Sequence, residues 1–135
     1  MSPIIRFDQV TVTALDKIIL SNISFALLPG QKAALYGKSG AGKSSVLRTL
    51  MGLHAIQSGT VYFQGEPLTS LSVRIIRNCT AYIGQEPVLG AESVREALLL
   101  PFQFKAHRHH RPTEAQLMAV LHRLQLPAAT CGYFK

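Results

Sequence analysis

The run Gly37-Lys38-Ser39-Gly40-Ala41-Gly42-Lys43-Ser44 constrains this chain more than any other feature, because it fits the pattern G-x-x-x-x-G-K-[ST]. Glycines at these spacings let successive backbone N–H groups turn inward around an anion, and side chains at Gly40 or Gly42 would obstruct that approach. Lys43 is then placed to reach the β- and γ-phosphates of a nucleoside triphosphate, Ser44 to give its hydroxyl to Mg²⁺, and Ser45 to add a phosphate contact. A helix beginning here would point the positive end of its dipole at the same anion. With glycine at about 7% of residues in ordinary proteins, the four constrained positions recur by chance on the order of once in a few hundred chains of this length. A strand before the loop and a helix after it make chance rarer still.

Both flanks are legible. Pro29-Gly30 reads as a turn, and Lys32-Ala33-Ala34-Leu35-Tyr36 as the short apolar run of a buried strand that leads straight into Gly37. Beyond the loop, Val46, Leu47, Leu50 and Met51 fall on one helical face, and Gly52 sits where that helix can stop. Upstream, residues 4–12 and 18–27 are rich in β-branched side chains and predict two paired strands. Downstream, residues 58–63 and 80–83 predict two further short strands, the second ending at Gly84-Gln85, in a sheet read as mixed. From Ser93 the pattern becomes helical. Ser93 and Glu96, then Thr113 and Gln116, match capping boxes, with Pro101 stopping the first helix and Pro127 lying beyond the second. The domain organisation expected is a nucleotide-binding core over residues 1–90 and the start of a helical subdomain over 91–135.

Composition excludes several alternatives. The chain has 135 residues, 47% of them hydrophobic and 16% charged, which suits a folded domain rather than a disordered one. Its net charge of +7 is spread from Arg6 to Lys135 with no aromatic and basic stacking motif, so a solvated surface is favoured over a nucleic-acid partner. Cys79 and Cys131 have neither metal-ligand spacing nor disulfide-rich density, which suits a reducing cytoplasm. The most apolar stretch, residues 97–104, is broken by Pro101 and Gln103 and is far short of the roughly 18 residues of a spanning helix. Three histidines lie within Lys105-Ala106-His107-Arg108-His109-His110-Arg111, but the interspersed Lys and Arg repel cations and no carboxylate or cysteine joins them.

The loop Gly37-Lys38-Ser39-Gly40-Ala41-Gly42-Lys43-Ser44-Ser45, its lead-in Leu28-Pro29-Gly30-Gln31, and the following Met51-Gly52-Leu53 and Ser58-Gly59-Thr60-Val61 together resemble the ATP-binding cassette (ABC) family. Tyr82-Ile83-Gly84-Gln85-Glu86-Pro87-Val88-Leu89 looks like that family's Q-loop, and Ser93-Val94-Arg95-Glu96-Ala97 like the segment after it. The resemblance covers nearly the whole chain, and its Phe102-Gln103 region is most similar to ATPase subunits of small bacterial exporters of the iron-export type. It implies an α/β fold: a P-loop NTPase core with N-terminal antiparallel strands and the beginning of a helical subdomain, as in a truncated ABC ATPase domain. It implies ATP and Mg²⁺ as cofactors, and Gln85 as a residue approaching Mg²⁺ and the attacking water. Implied partners are a transmembrane permease subunit and a second ATPase subunit in a head-to-tail dimer, at the cytoplasmic face of the cell membrane. Residues 98–104 are then either the surface that receives the permease or part of a core.

The sequence also departs from the family. No aromatic for stacking adenine lies between Val10 and Leu20, where Val12, Thr13 or Ala14 takes its place. An L-S-G-G-Q signature, an adjacent Asp-Glu pair ending an apolar strand, and a later switch histidine are all missing from these residues. Without the groups that orient Mg²⁺ and activate water, phosphoryl transfer loses its positioning. The expectation is an ATP-binding part of a transport ATPase that by itself binds nucleotide poorly and hydrolyses it negligibly. The alternatives are a complete non-catalytic nucleotide-binding or interaction module, and a soluble P-loop ATPase or kinase.

Overall fold

The computed structural model describes residues 2–86 and 90–127. Its contacts divide the chain into two units, Met1–Ala81 and Tyr82–Lys135.

The first unit is built on a four-stranded sheet in the order β2-β1-β3-β4, formed by β1 (Ile5–Ala14), β2 (Lys17–Leu27), β3 (Ile56–Phe63) and the two-residue β4 (Glu66–Pro67). Every pairing is antiparallel, so the mixed sheet expected from sequence is not formed among the described residues. The β1–β2 hairpin turns through Leu15 and Asp16, both at positive φ, so that Ala14 pairs with Lys17 and Phe7 with Phe25. The Phe7 and Phe25 rings stack with centroids 4.6 Å apart. A bulge at Gln9 interrupts β1 against both neighbours, and the Ser24 hydroxyl accepts the Gln9 N–H, so the irregularity leaves no orphan donor there.

Helix α1 (Lys43–Leu50) packs on one face of this sheet. Val46 joins Phe7, Val10, Val12, Leu20 and Val61 in the buried cluster, with Leu50 partly buried beside them. Burying a side chain such as Val46 stabilises the fold by about 1.5–3 kcal/mol. The face differs from the sequence expectation at one position: Leu47 is exposed, and buried Thr49 takes its place, its hydroxyl donating to the Ser45 carbonyl at 2.7 Å. The helix ends as expected near Gly52. With φ at +65°, Gly52 lets its own N–H reach the Thr49 carbonyl and the Leu53 N–H reach that of Arg48, the paired bonds of a Schellman motif.

Sequence patterning missed helix α2 (Val73–Cys79), whose Val73 and Ile76 are buried. Its entry is a reciprocal cap in which Ser72 N–H donates to the Thr69 hydroxyl oxygen and Thr69 N–H to that of Ser72. Two strands expected from sequence are not formed. Residues 32–36 and 80–83 lie outside regular secondary structure, with Leu35 42% and Tyr36 92% exposed. A strand exists through its ladder, and none of the four described strands pairs with either segment.

The second unit is helical: α3 (Val94–Leu99), a 3-10 turn η1 (Leu100–Gln103), a second η2 (Arg108–His110), and α4 (Glu114–Arg123). Thr113 forms a full capping box with Gln116, whereas Ser93 caps Glu96 N–H but the Glu96 carboxylate turns to Glu92 N–H instead. Pro101 does not halt the chain's winding but converts it to 3-10 geometry, where proline is tolerated in the first turn. Arg95 joins α3 to α4 through a two-pronged ion pair with Glu114, at 3.1 and 2.6 Å. Leu117 and Leu121 form the buried stripe of α4. Residues 98–104 contain no fully buried side chain, and 98, 99, 100 and 102 are half-buried.

The candidate phosphate-binding site

The loop of residues 37–42 ends at Gly42, which serves as the N-cap of α1 with φ at +85° and no side-chain capping bond. The first N–H groups of an α-helix have no partner within the helix, and here no side chain and no acidic residue in the first turn occupies them. An anion set against Gly42, Lys43 and Ser44 therefore meets free donors and the positive end of a helix dipole.

Gly42 is held in place from behind. A Cβ there would stand 2.8 Å from Leu20 Cδ2 and 2.9 Å from the Ile19 carbonyl oxygen, so the loop lies directly against strand β2. The obstruction at this glycine thus comes from strand β2. At Gly40, by contrast, a Cβ would meet nothing within 4 Å, and the constraint is its φ of +81° alone. Sequence patterning identified both glycines but not this wall of β2.

The Lys43 ammonium donates to the carbonyls of Gly37 and Lys38, both at 2.8 Å, and so bridges the two residues that open the loop. Ala41 N–H closes a turn on the Lys38 carbonyl at 3.1 Å. Lys43 therefore has a charged donor held across the loop by bonds that phosphate oxygens can replace. Ser44 is exposed one residue into α1, and Ser45 is half-buried with its carbonyl engaged by Thr49. The donor set suits a triphosphate with Mg²⁺: one ammonium, free helix N–H groups, and a hydroxyl as protein ligand. Mg²⁺ bound to a substrate phosphate needs only one or two protein oxygens. Among the described residues no group of three or more His, Cys, Asp or Glu side chains is assembled for a metal.

The structure thus brings Gly37, Lys38, Ser39, Gly40, Ala41, Gly42, Lys43, Ser44 and Ser45 together in one loop and helix start of the first unit. Gln85 belongs to the second unit, exposed in a bend beside Glu86. Pro87, Val88 and Leu89, and Cys131 with the residues after it, lie outside the described residues. One residue that sequence patterning passed over is Arg77. Its side chain donates to the Met51 carbonyl at 3.0 Å and, more weakly, to that of Gly52 at 3.4 Å, at the far end of α1. The Thr69/Ser72 cap followed by apolar Val73 and Ile76 was the signal for the helix that carries it.

The chain is similar to known proteins over most of its length. The sequence profile of the family described as ABC transporter matches residues 20–131. The "Probable iron export ATP-binding protein FetA" of Escherichia coli (strain K12) is 35% identical over 126 residues, which cover 93% of this chain and 55% of that protein. The "Mycobactin import ATP-binding/permease protein IrtB" of Mycolicibacterium smegmatis is 37% identical over 99 residues, 73% of this chain and 17% of that protein. This chain thus spans about half, or less, of the length of these relatives. In fold it is similar to a bacterial Atm1-family ABC exporter with ATP bound, at a TM-score of 0.77 and 22% identity, over 97% of this chain and 23% of that one. The chain belongs to the ABC transporter family, as an α/β P-loop module of the kind that binds ATP and Mg²⁺.

Proposed function

We propose that this chain is the nucleotide-binding part of an ABC transporter ATPase, in which the loop of residues 37–45 holds the phosphates of ATP. The observation that carries this is the poised Lys43: its ammonium sits across the loop on two exchangeable carbonyl bonds, next to an uncapped helix N-terminus. Lys43 gives its charge to the β- and γ-phosphates, and the N–H groups at the start of α1 bind the oxygens beside it. Ser44 would hold Mg²⁺, which when bound would supply charge neutralisation at the phosphates.

Hydrolysis is not a property of these residues alone, because the sequence contains no adjacent Asp-Glu pair to orient the metal and activate water. In the complete ATPase the chain would couple ATP binding and hydrolysis to transport, paired head-to-tail with a second ATPase subunit and docked on a transmembrane permease. The surface around residues 98–104, which includes the exposed Phe104, is the docking face for that permease. Among the described residues no helix is long and apolar enough to cross a membrane, which suits a subunit held at the cytoplasmic face by its permease. FetA, whose name marks it as an iron-export ATP-binding protein, supports an exporter of that type.

Calorimetric titration of the chain with Mg²⁺-ATP, repeated with inorganic tripolyphosphate as competitor, tests the proposal. Competition by tripolyphosphate is the predicted result, since the loop recognises phosphates. ATP binding that tripolyphosphate does not displace would place recognition elsewhere.

A further inference from the structure

We propose that Arg77 is a positioning residue of the phosphate site: it clamps the far end of the helix that the loop opens and passes the loop's occupancy to residues 80–85. The inference rests on the nucleotide-binding function proposed above and adds a route by which binding is felt beyond the loop. Helix α1 is only eight residues long, so its two ends are about 12 Å apart at 1.5 Å per residue. Phosphate meets one end, and the Arg77 guanidinium meets the other.

At that far end the carbonyls of Met51 and Gly52 lie past the last intrahelical bonds, where a helix leaves its acceptors unpaired and its dipole is negative. Arg77 Nε–H donates to Met51 at 3.0 Å and Nη2–H to Gly52 at 3.4 Å, so one planar cation spans both. The contact is also close in its apolar part. A Cβ on Gly52 would stand 2.5 Å from Val73 Cγ2, so the end of α1 lies directly against the first turn of α2. Val73 and Ile76 are buried, leaving α2 little freedom to slide past α1. Chain continuity supplies the next step. Helix α2 ends at Cys79, Thr80 is extended, and the chain then runs to Gln85.

A signal also needs two arrangements of the loop. The structure holds one, with Lys43 bonded to the Gly37 and Lys38 carbonyls. Phosphate oxygens competing for the same ammonium create the other, and α1 begins at Lys43 itself, so the exchange acts on the helix that Arg77 grips. A residue that merely finished α1 would contribute stability only. A clamp makes α2 and the following segment respond to nucleotide.

Hydrogen–deuterium exchange on the 135-residue chain, with and without Mg²⁺-ATP, separates these roles. In the reference chain ATP is expected to slow exchange over residues 37–53 and also over residues 72–86. Arg77→Gln should keep the first response, with ATP affinity weakened only about two- to fivefold, and lose the second. Arg77→Lys, which keeps the charge without the planar fork, should show a reduced second response, and it alone decides the matter if the glutamine variant does not fold. Undiminished protection of residues 72–86 in the folded variant would overturn the clamp. Protection confined to residues 37–53 in the reference chain would also overturn it while leaving nucleotide binding intact. No protection anywhere would remove the nucleotide-binding function and the clamp together.

Discussion

Replacing Gly42 by alanine separates two physical demands that the phosphate loop makes on one residue. The first is backbone conformation: φ at +85° is disfavoured for any residue with a Cβ, by about 1–2 kcal/mol. The second is space. The new methyl would stand 2.9 Å from the Ile19 carbonyl oxygen, which belongs to a strand fixed by its ladder with β1, and 2.8 Å from Leu20 Cδ2 in the buried cluster. Neither neighbour can withdraw freely, and overpacking of this kind costs about 1–3 kcal/mol. Gly42→Ala should therefore lose about 2–5 kcal/mol in urea unfolding followed by circular dichroism. Gly40→Ala supplies the comparison, because φ there is +81° but a Cβ meets nothing within 4 Å, so only the conformational loss of about 1–2 kcal/mol remains. If the two variants unfold at the same denaturant concentration, or if Gly42→Ala loses less than about 0.5 kcal/mol, the seating of the loop on β2 is wrong.

Two further substitutions address the metal and the independence of the helical unit. Ser44→Ala should weaken ATP binding about tenfold in Mg²⁺, from the loss of roughly 1.4 kcal/mol at a charged partner, and leave binding in EDTA within about twofold, as read by calorimetry. An equal loss in both conditions would make Ser44 a phosphate contact instead. Thr113→Ala removes the hydroxyl that accepts Gln116 N–H and breaks the capping box of α4, so it should cost about 1 kcal/mol in urea unfolding while ATP affinity stays within about twofold. A larger change in affinity would tie the α4 cap to the phosphate site.

The loop, the β1–β2 hairpin and the stop of α1 at Gly52 were legible because each is written in local chemistry. Glycine spacing, β-branched runs and a Schellman glycine need no distant partner. The Thr113/Gln116 cap was legible for the same reason. What patterning misjudged depends on partners remote in sequence. Residues 32–36 have the apolar character of a buried strand, yet a strand needs a partner to pair with, and none of the four described strands pairs with them. Leu47 and Thr49 exchanged roles because a buried hydroxyl can return its donor to the Ser45 carbonyl one turn earlier, which hydropathy alone does not register. Arg77 and the β2 wall behind Gly42 were invisible because their partners are remote in sequence: the Met51 and Gly52 carbonyls for Arg77, and the Ile19 carbonyl with the Leu20 side chain for Gly42.

The central claim is that Lys43 binds the phosphates of ATP, and the most direct measurement is titration of a fluorescent ATP analogue into the chain and into its Lys43→Ala variant. Among the described residues this ammonium bonds only to the loop's own exposed carbonyls, so its loss should leave the unfolding midpoint little changed. Charge-assisted bonds to phosphate contribute about 1.5–3 kcal/mol each, so one or two of them correspond to a loss of affinity from roughly tenfold to about ten-thousandfold. The predicted result is a folded variant with no titration in the range where the reference chain saturates. An unchanged titration curve in the variant would contradict the assignment of the phosphate site.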